Sequence, residues 1–159
     1  MRIEITIKNQ TLTLYNDEGG VMARYPVSTA ANGAGCEKDS GCTPLGVHVV
    51  RAKIGAGAAE NAVFVGRRQT GEICTPDLMA EFPDRDWILT RILWLSGKEI
   101  GKNRLGNVDT MQRYIYIHGT PDSTEMSKVG SHGCVRMRNR DVVALFDMIP
   151  VGTRVFIAE

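Results

Sequence analysis

Between Tyr114 and Met137 the chain reads YIYIHGTPDSTEMSKVGSHGCVRM, which gathers His118, His132 and Cys134 into one short stretch. A cysteine attacks as its thiolate, so it needs a base or a cation to bring its pKa down from about 8.5. It also needs backbone N–H groups directed at the oxyanion that develops on the attacked carbonyl. Ser131-His132-Gly133-Cys134 meets the second need, because glycine permits the tight turn that lets neighbouring amides converge on one point. His118, at the end of an apolar run and followed by Gly119, can meet the first. The competing reading makes Cys134 a small buried hydrophobe and both histidines core residues with satisfied hydrogen bonds. The contiguity of Ser, His, Gly and Cys, with a second His-Gly pair upstream, favours the catalytic reading on the physical requirements of a thiol nucleophile.

These residues must be positioned by strands. RYIYIHG, rich in Ile and Tyr, predicts a strand that delivers His118 to its end, where a polar loop begins. Ile3, Ile5 and Ile7 alternate with polar residues, residues 11 to 15 repeat the pattern, and DEGG at 17–20 supplies a turn before VMARYPVST, so the N-terminal part reads as a β-meander. Val47, Val49 and Ile54, and then AVFVG at 62–66, continue the strand theme. Pro76 suits the first turn of a short helix that Pro83 would end. WILTRILWL at 87–95 is ambiguous between strand and helix and is taken as strand or mixed. Asn139 reads as an N-cap, with Val142, Val143, Leu145 and Phe146 at helical spacing until Pro150 and Gly152, and TRVFIA closes the chain as a strand.

With 159 residues, 43% hydrophobic and 23% charged, the expectation is one ordinary folded domain spanning 1–159. A net charge of +1 gives no global field to attract nucleic acid or an anionic membrane. Apolar runs such as ILWL fall far short of the ~20 residues that cross a bilayer. The N-terminus reads as a strand rather than an export signal, from which a cytoplasmic protein is expected, or a periplasmic one if a leader has been removed. Cys36, Cys42, Cys74 and Cys134 are irregularly spaced and are expected to be reduced thiols, although Cys36 and Cys42 flank a turn-like EKDSG that could carry a surface disulfide in an oxidising compartment. Zinc held by these with His48 or Cys74 is disfavoured, because no pair has close C-x-x-C spacing, so no metal and no cofactor is expected. His48 lies in an alternating strand and reads as structural. Trp87 and Trp94 read as core or lid.

At IHGT (117–120) and SHGCVRM (131–137) the sequence resembles the L,D-transpeptidase family with the YkuD catalytic domain. NRDVVALF, VGTRVFI, TPLGVHVV at 43–50 and YPVSTA at 25–30 are similar to the family's flanking segments, so the resemblance spans nearly the whole chain. The departure is a longer segment between Gly66 and Gln112. The resemblance implies a mainly β fold, a β-sandwich of mixed sheets with one or two short helices. It implies a cysteine that attacks the amide between the L-centre of a diamino acid and a terminal D-alanine in murein stem peptides. Cys134 matches the nucleophile, His118 the base, and the carbonyl of Gly119 the group that orients its imidazole. Amides around His132, Gly133 and Cys134 match the oxyanion hole, Ser131 and His132 residues that fix the loop, and Arg136 the arginine that supports the site. For a substrate ending in a carboxylate, Arg136 and the pair Arg67 and Arg68 are the candidate ligands. The expected partner is a murein tetrapeptide or soluble muropeptide, with an L,D-carboxypeptidase favoured over an L,D-transpeptidase. Oligomeric state is not legible.

Overall fold

The computed structural model describes all residues, Met1–Glu159. Ten strands run in the order β1 (Arg2–Thr6), β2 (Thr11–Tyr15), β3 (Val21–Pro26), β4 (Gly46–Ile54), β5 (Ala62–Val65), β6 (Arg68–Ile73), β7 (Ile88–Gly97), β8 (Tyr116–Gly119), β9 (Val135–Met137) and β10 (Arg154–Ala158). Two short helices, α1 (Pro76–Glu81) and α2 (Asn139–Met148), lie between them. The strands form one mixed, curled sheet in the order β3-β2-β1-β10-β4-β7-β5-β6, with β8 on β7 and β9 on β8. Only β1 with β10 and β8 with β9 run parallel. The mainly β fold with short helices is as the resemblance implies.

Alternation decides which face is buried. Ile3 and Ile5, Leu12 and Leu14, and Val155 and Ile157 all turn to the same side of the sheet and are almost fully buried. They meet Ile117, Val135 and Met137 of β8 and β9 and the apolar stripe Val142, Leu145 and Phe146 of α2. This core fixes the inner face of β8 and β9, so their other face is free for a site. The end of α2 is tied down by Lys53, whose Nζ donates to the carbonyls of Phe146 (2.5 Å) and Ile149 (2.7 Å), supplying partners to orphan carbonyls of the last turn. No helix is long and apolar enough to cross a membrane.

The ambiguous WILTRILWL is strand β7, which changes partner along its length: Ile88 and Leu89 pair with β5, whereas Ile92–Gly97 pair with β4. The change coincides with a bulge at Thr90, buried and held at φ 75°, where a β-branched residue is costly. Helix α1 begins as predicted, with Pro76 in its first turn and Thr75 Oγ1 accepting from Leu78 N at 3.1 Å.

Two boundaries differ from the sequence reading. The strand carrying His118 runs only from Tyr116 to Gly119, because Tyr114 takes a left-handed φ of 56° and breaks the extended run. Asn139 is the first residue inside α2 rather than its cap. Its side chain is engaged elsewhere, accepting from Thr90 Oγ1 (2.7 Å) and donating to Asn61 Oδ1 (2.8 Å), which bonds the helix start to the bulge.

Candidate active site

In the parallel pair β8–β9, Ile117 sits beside Val135 and His118 beside Arg136. Paired residues share a face and neighbours alternate. With Ile117 and Val135 in the core, His118 and Arg136 must face the other way, together with Tyr116 and Cys134 two positions earlier on each chain. Tyr116, His118 and Cys134 of that face line a cleft of about 400 Å³, whose walls also include Asp86, Arg67, Arg113, Tyr114 and Ser131.

The His118 imidazole is buried, and its Nδ1 lies 2.6 Å from the carbonyl oxygen of Gly119. A carbonyl can only accept, so Nδ1 carries the proton and Nε2 is the basic nitrogen. Burial lowers the His118 pKa below the ordinary histidine value, against the opposing pull of Gly119 and Asp86. Gly119 has no space for a side chain: a Cβ there would collide with Asn139 Oδ1 and the carbonyl of Leu89.

Cys134 Sγ accepts from the amide of Tyr116 (3.3 Å) and faces the carbonyl of Tyr114 (3.4 Å), to which a protonated thiol can donate. Part of the residue reaches the surface, yet the protein packed around the sulfur pushes the thiol pKa up to about 12, in spite of the Tyr116 amide, Arg136 and Arg113. Both shifts favour the neutral forms, a thiol and an imidazole. A standing thiolate–imidazolium pair would need the opposite shifts.

The turn before Cys134 is bound from several sides. Ser131 Oγ donates to the carbonyl of Cys134 (2.5 Å) and accepts from the amide of Gly133 (3.2 Å). Thr43 Oγ1 donates to the carbonyl of Gly133 at 2.9 Å. Gly133 has φ 133°, and a Cβ would fall 2.9 Å from Ile115 Cδ1 and 3.2 Å from the carbonyl of Cys42, so only glycine fits. With the Gly133 amide taken by Ser131, the amides of His132 and Cys134 are those without an intramolecular acceptor. The His132 side chain is exposed and stands 3.8 Å from the Asp86 carboxylate.

The three arginines singled out from the sequence are placed differently. Arg136 lies on the same face but does not line the cleft; its Nη2 donates to Asp86 at 3.3 Å, and its buried Nε has no partner. Arg67 occupies the turn of the β5–β6 hairpin and reaches over the cleft. Arg68 begins β6, is exposed, and does not line the cleft. Two further charged residues belong to the site and carried no local sequence signal. Asp86 bridges Arg136 and His132. Arg113 donates to the carbonyls of Gly35 (3.3 Å) and Cys42 (2.7 Å), tying the loop after β3 to the cleft wall.

The remaining candidates lie outside the cleft. His48 is fully buried, with Nδ1 3.1 Å from the carbonyl of Gly46 and Nε2 3.0 Å from Thr110 Oγ1, and burial lowers its pKa to about 4. It is a packing residue, as its alternating strand suggests. Trp87 is core, packed with Val63, Cys74 and Leu89. Trp94 is half-buried beside the cleft, its ring centroid 6.2 Å from that of Tyr114 and 5.9 Å from that of Tyr116. All four cysteines are unpaired thiols, and His, Cys, Asp and Glu side chains nowhere gather in threes as a metal would require.

A model of the L,D-transpeptidase catalytic domain, YkuD, matches residues 1–157. The chain is 54% identical over 43 residues to YqjB of Bacillus subtilis, a match covering 27% of this chain and 24% of that protein. It is 34% identical over 86 residues to a protein from the ATP synthase subunits region of Fuscovulum blasticum, covering 51% of this chain and 39% of the relative. Among solved structures, an Enterococcus faecium L,D-transpeptidase matches with a TM-score of 0.58 at 20% identity, over 99% of this chain and 49% of that one. L,D-transpeptidase 3 of Mycobacterium tuberculosis, bearing a faropenem-derived adduct, matches with a TM-score of 0.60 at 16% identity, over 99% of this chain and 59% of that one. At these identities the likeness to solved structures shows the fold, and the chain spans about half to three-fifths of their length.

Proposed function

The chain belongs to the L,D-transpeptidase catalytic-domain (YkuD) family, and we propose that it works by acyl transfer through Cys134, with water as acceptor: an L,D-carboxypeptidase that trims the terminal D-alanine from tetrapeptide stems of soluble murein fragments. The observation that carries this reading is a thiol and an imidazole of fixed tautomer opening into one cleft. In the proposed reaction His118 Nε2 takes the proton from Sγ as the sulfur attacks the carbonyl that precedes D-alanine. Because both groups begin neutral, the proton moves only as the C–S bond forms. The amides of His132 and Cys134 receive the oxyanion, while Ser131 holds the turn that presents them. Collapse breaks the C–N bond, and His118 returns the proton to the departing amine. A water molecule then loses a proton to His118, attacks the thioester, and releases the tripeptide and the thiol. Arg136 supports the site, holding Asp86 and through it the exposed ring of His132.

Hydrolysis needs one peptide-binding cleft. A second cavity of about 380 Å³ shares Arg113, Tyr114, Ile115 and His132 with the first, and favours a second reading in which another stem peptide binds there and accepts the acyl group, forming a cross-link. Incubation with a defined tetrapeptide and mass analysis of the products separates the two. Tripeptide and free D-alanine are expected as the main products. Dominant cross-linked dimer would move the assignment to transpeptidation, and no product with unmodified Cys134 would overturn acyl transfer.

A further inference from the structure

Two guanidinium groups, of Arg67 and Arg113, line the cleft, a third belongs to Arg136 behind Asp86, and the three are not equivalent. Arg136 is paired with Asp86. Arg113 spends its donors on Gly35, Ser40 and Cys42. Arg67 has no carboxylate within ion-pair distance, and its one hydrogen bond within the protein runs from Nη1 to the Tyr116 hydroxyl at 3.0 Å. Its guanidinium lies 4.6 Å from the ring centroid of Trp94 and 5.0 Å from that of Tyr114. Stacking on two rings and one anchoring hydrogen bond restrain the plane of the fork, while Nε and Nη2 remain available.

The backbone gives an independent pointer. Gly66 (φ 55°) and Arg67 (φ 64°) are the two central residues of the hairpin turn, with Val65 paired to Arg68. Positive φ at both positions is the type I′ geometry, which favours Gly at the second position. An arginine there is held at a conformational cost, and the contacts that hold it lie in the cleft rather than in the hairpin.

From this we propose that Arg67 is the specificity-determining residue that binds a free carboxylate of the stem peptide, with Trp94, Tyr114 and Tyr116 as the cradle that orients its fork. The proposal rests on the reading that a stem peptide is the ligand. A planar fork matches a carboxylate with two parallel N–H···O bonds, which a lysine ammonium cannot reproduce. The carboxylate has two sources in such a peptide: the C-terminal group, or a carboxyl on an internal residue.

Affinity measured in a Cys134→Ala background separates recognition from turnover. Three tetrapeptides serve as probes: unmodified, amidated at the C-terminus, and amidated at the internal carboxyls. Arg67→Gly suits the turn geometry, so it removes the guanidinium without straining the hairpin, and an unchanged melting temperature checks this. Arg67→Lys keeps the charge but loses the fork. We expect both substitutions to weaken the unmodified peptide by about 10- to 100-fold. The Arg67 protein should lose that same factor with one of the amidated peptides, on which Arg67→Gly then has no further effect; which peptide does so names the source. Equal weakening of all three peptides by Arg67→Gly, no weakening, or no measurable binding of any peptide overturns the proposal. Tight, Arg67-dependent binding without turnover of the tetrapeptide by the Cys134 protein would instead overturn the acyl-transfer reading and leave carboxylate recognition standing.

Discussion

His118 and Arg136 are cross-strand partners in the parallel pair β8–β9, and Asp86 bonds to the same guanidinium at 3.3 Å. The imidazole thus works beside a cation whose charge is balanced by one carboxylate. Asp86 raises the pKa of both His118 and Cys134, and Arg136 lowers both. Replacing Asp86 by Asn should therefore move the acid limb of kcat/KM to lower pH and make Cys134 easier to ionise. The second effect is read as faster alkylation of Cys134 by iodoacetamide at pH 8. An acid limb that moves to higher pH would contradict this assignment of charges.

Cys134→Ala and Cys134→Ser should abolish turnover, by several orders of magnitude in rate, with the fold intact by circular dichroism. Single alanine substitutions of Cys36, Cys42 or Cys74 should leave most activity in place, since those side chains do not line the cleft. Near-normal activity in either Cys134 variant would end the covalent mechanism.

His118→Ala should cost about 10²- to 10⁴-fold in kcat and remove the acid limb of the pH profile. His132→Ala should keep that limb, because its ring is exposed and meets only Asp86. If the limb disappears with His132 alone, the roles are exchanged.

Ser131→Ala removes the hydroxyl that joins the amide of Gly133 to the carbonyl of Cys134. Leaving these buried groups without their partner should cost about 1 to 3 kcal/mol in denaturant unfolding. It should also lower kcat more than it raises KM, because the freed turn no longer presents its amides in one geometry. A variant as active and as stable as the parent would show that Thr43 alone holds the turn.

Stability should depend on pH through His48, whose pKa falls from 6.5 to about 4 on burial. The unfolded chain binds this proton first, so stability is full above pH 6.5 and declines as pH falls toward 4. Between pH 6.5 and 5 the loss should be about 1 to 2 kcal/mol. His118 is shifted the same way and adds to the slope. Urea unfolding across this range should show a shallower decline in His48→Gln than in the parent, and an equal slope in both would remove His48 from the account.

The part of the site carried by contiguous residues was legible. Ser131 to Cys134 form one turn, and alternation in β8 and β9 alone places His118 opposite the core. Asp86 was not legible, since it meets Arg136 across 50 positions and nothing in PDRDW marks it. Arg113 likewise acts on a loop more than 70 positions away. Strand β6 was missed because RQTGEI is exposed at the sheet edge and has no apolar alternation, although Gly-Arg after AVFV was a usable turn signal. Arg67 and Arg68 looked equivalent as neighbours. The hairpin turn separates them, sending one over the cleft and the other along the outer edge.

Strand β10 is made after the nine other strands of the sheet, yet it lies between β1 and β4 in its middle. Beyond the isolated bridges of Ser28 to Arg136 and Ala30 to Ser131, the N-terminal meander has no other ladder into the main sheet, since β1 pairs only with β2 and β10. On the ribosome, therefore, the meander can form its hairpins early but must wait for residues 154–158 before a full ladder joins it to β4. A chain cut short before Arg154 would hold the whole sequence of the cleft while β1 and β4 lacked the strand between them, leaving unpaired edges for chaperones and proteases to find. Arrival of Arg154–Ala158 thus acts as a built-in checkpoint, since the sheet closes only once that strand is made.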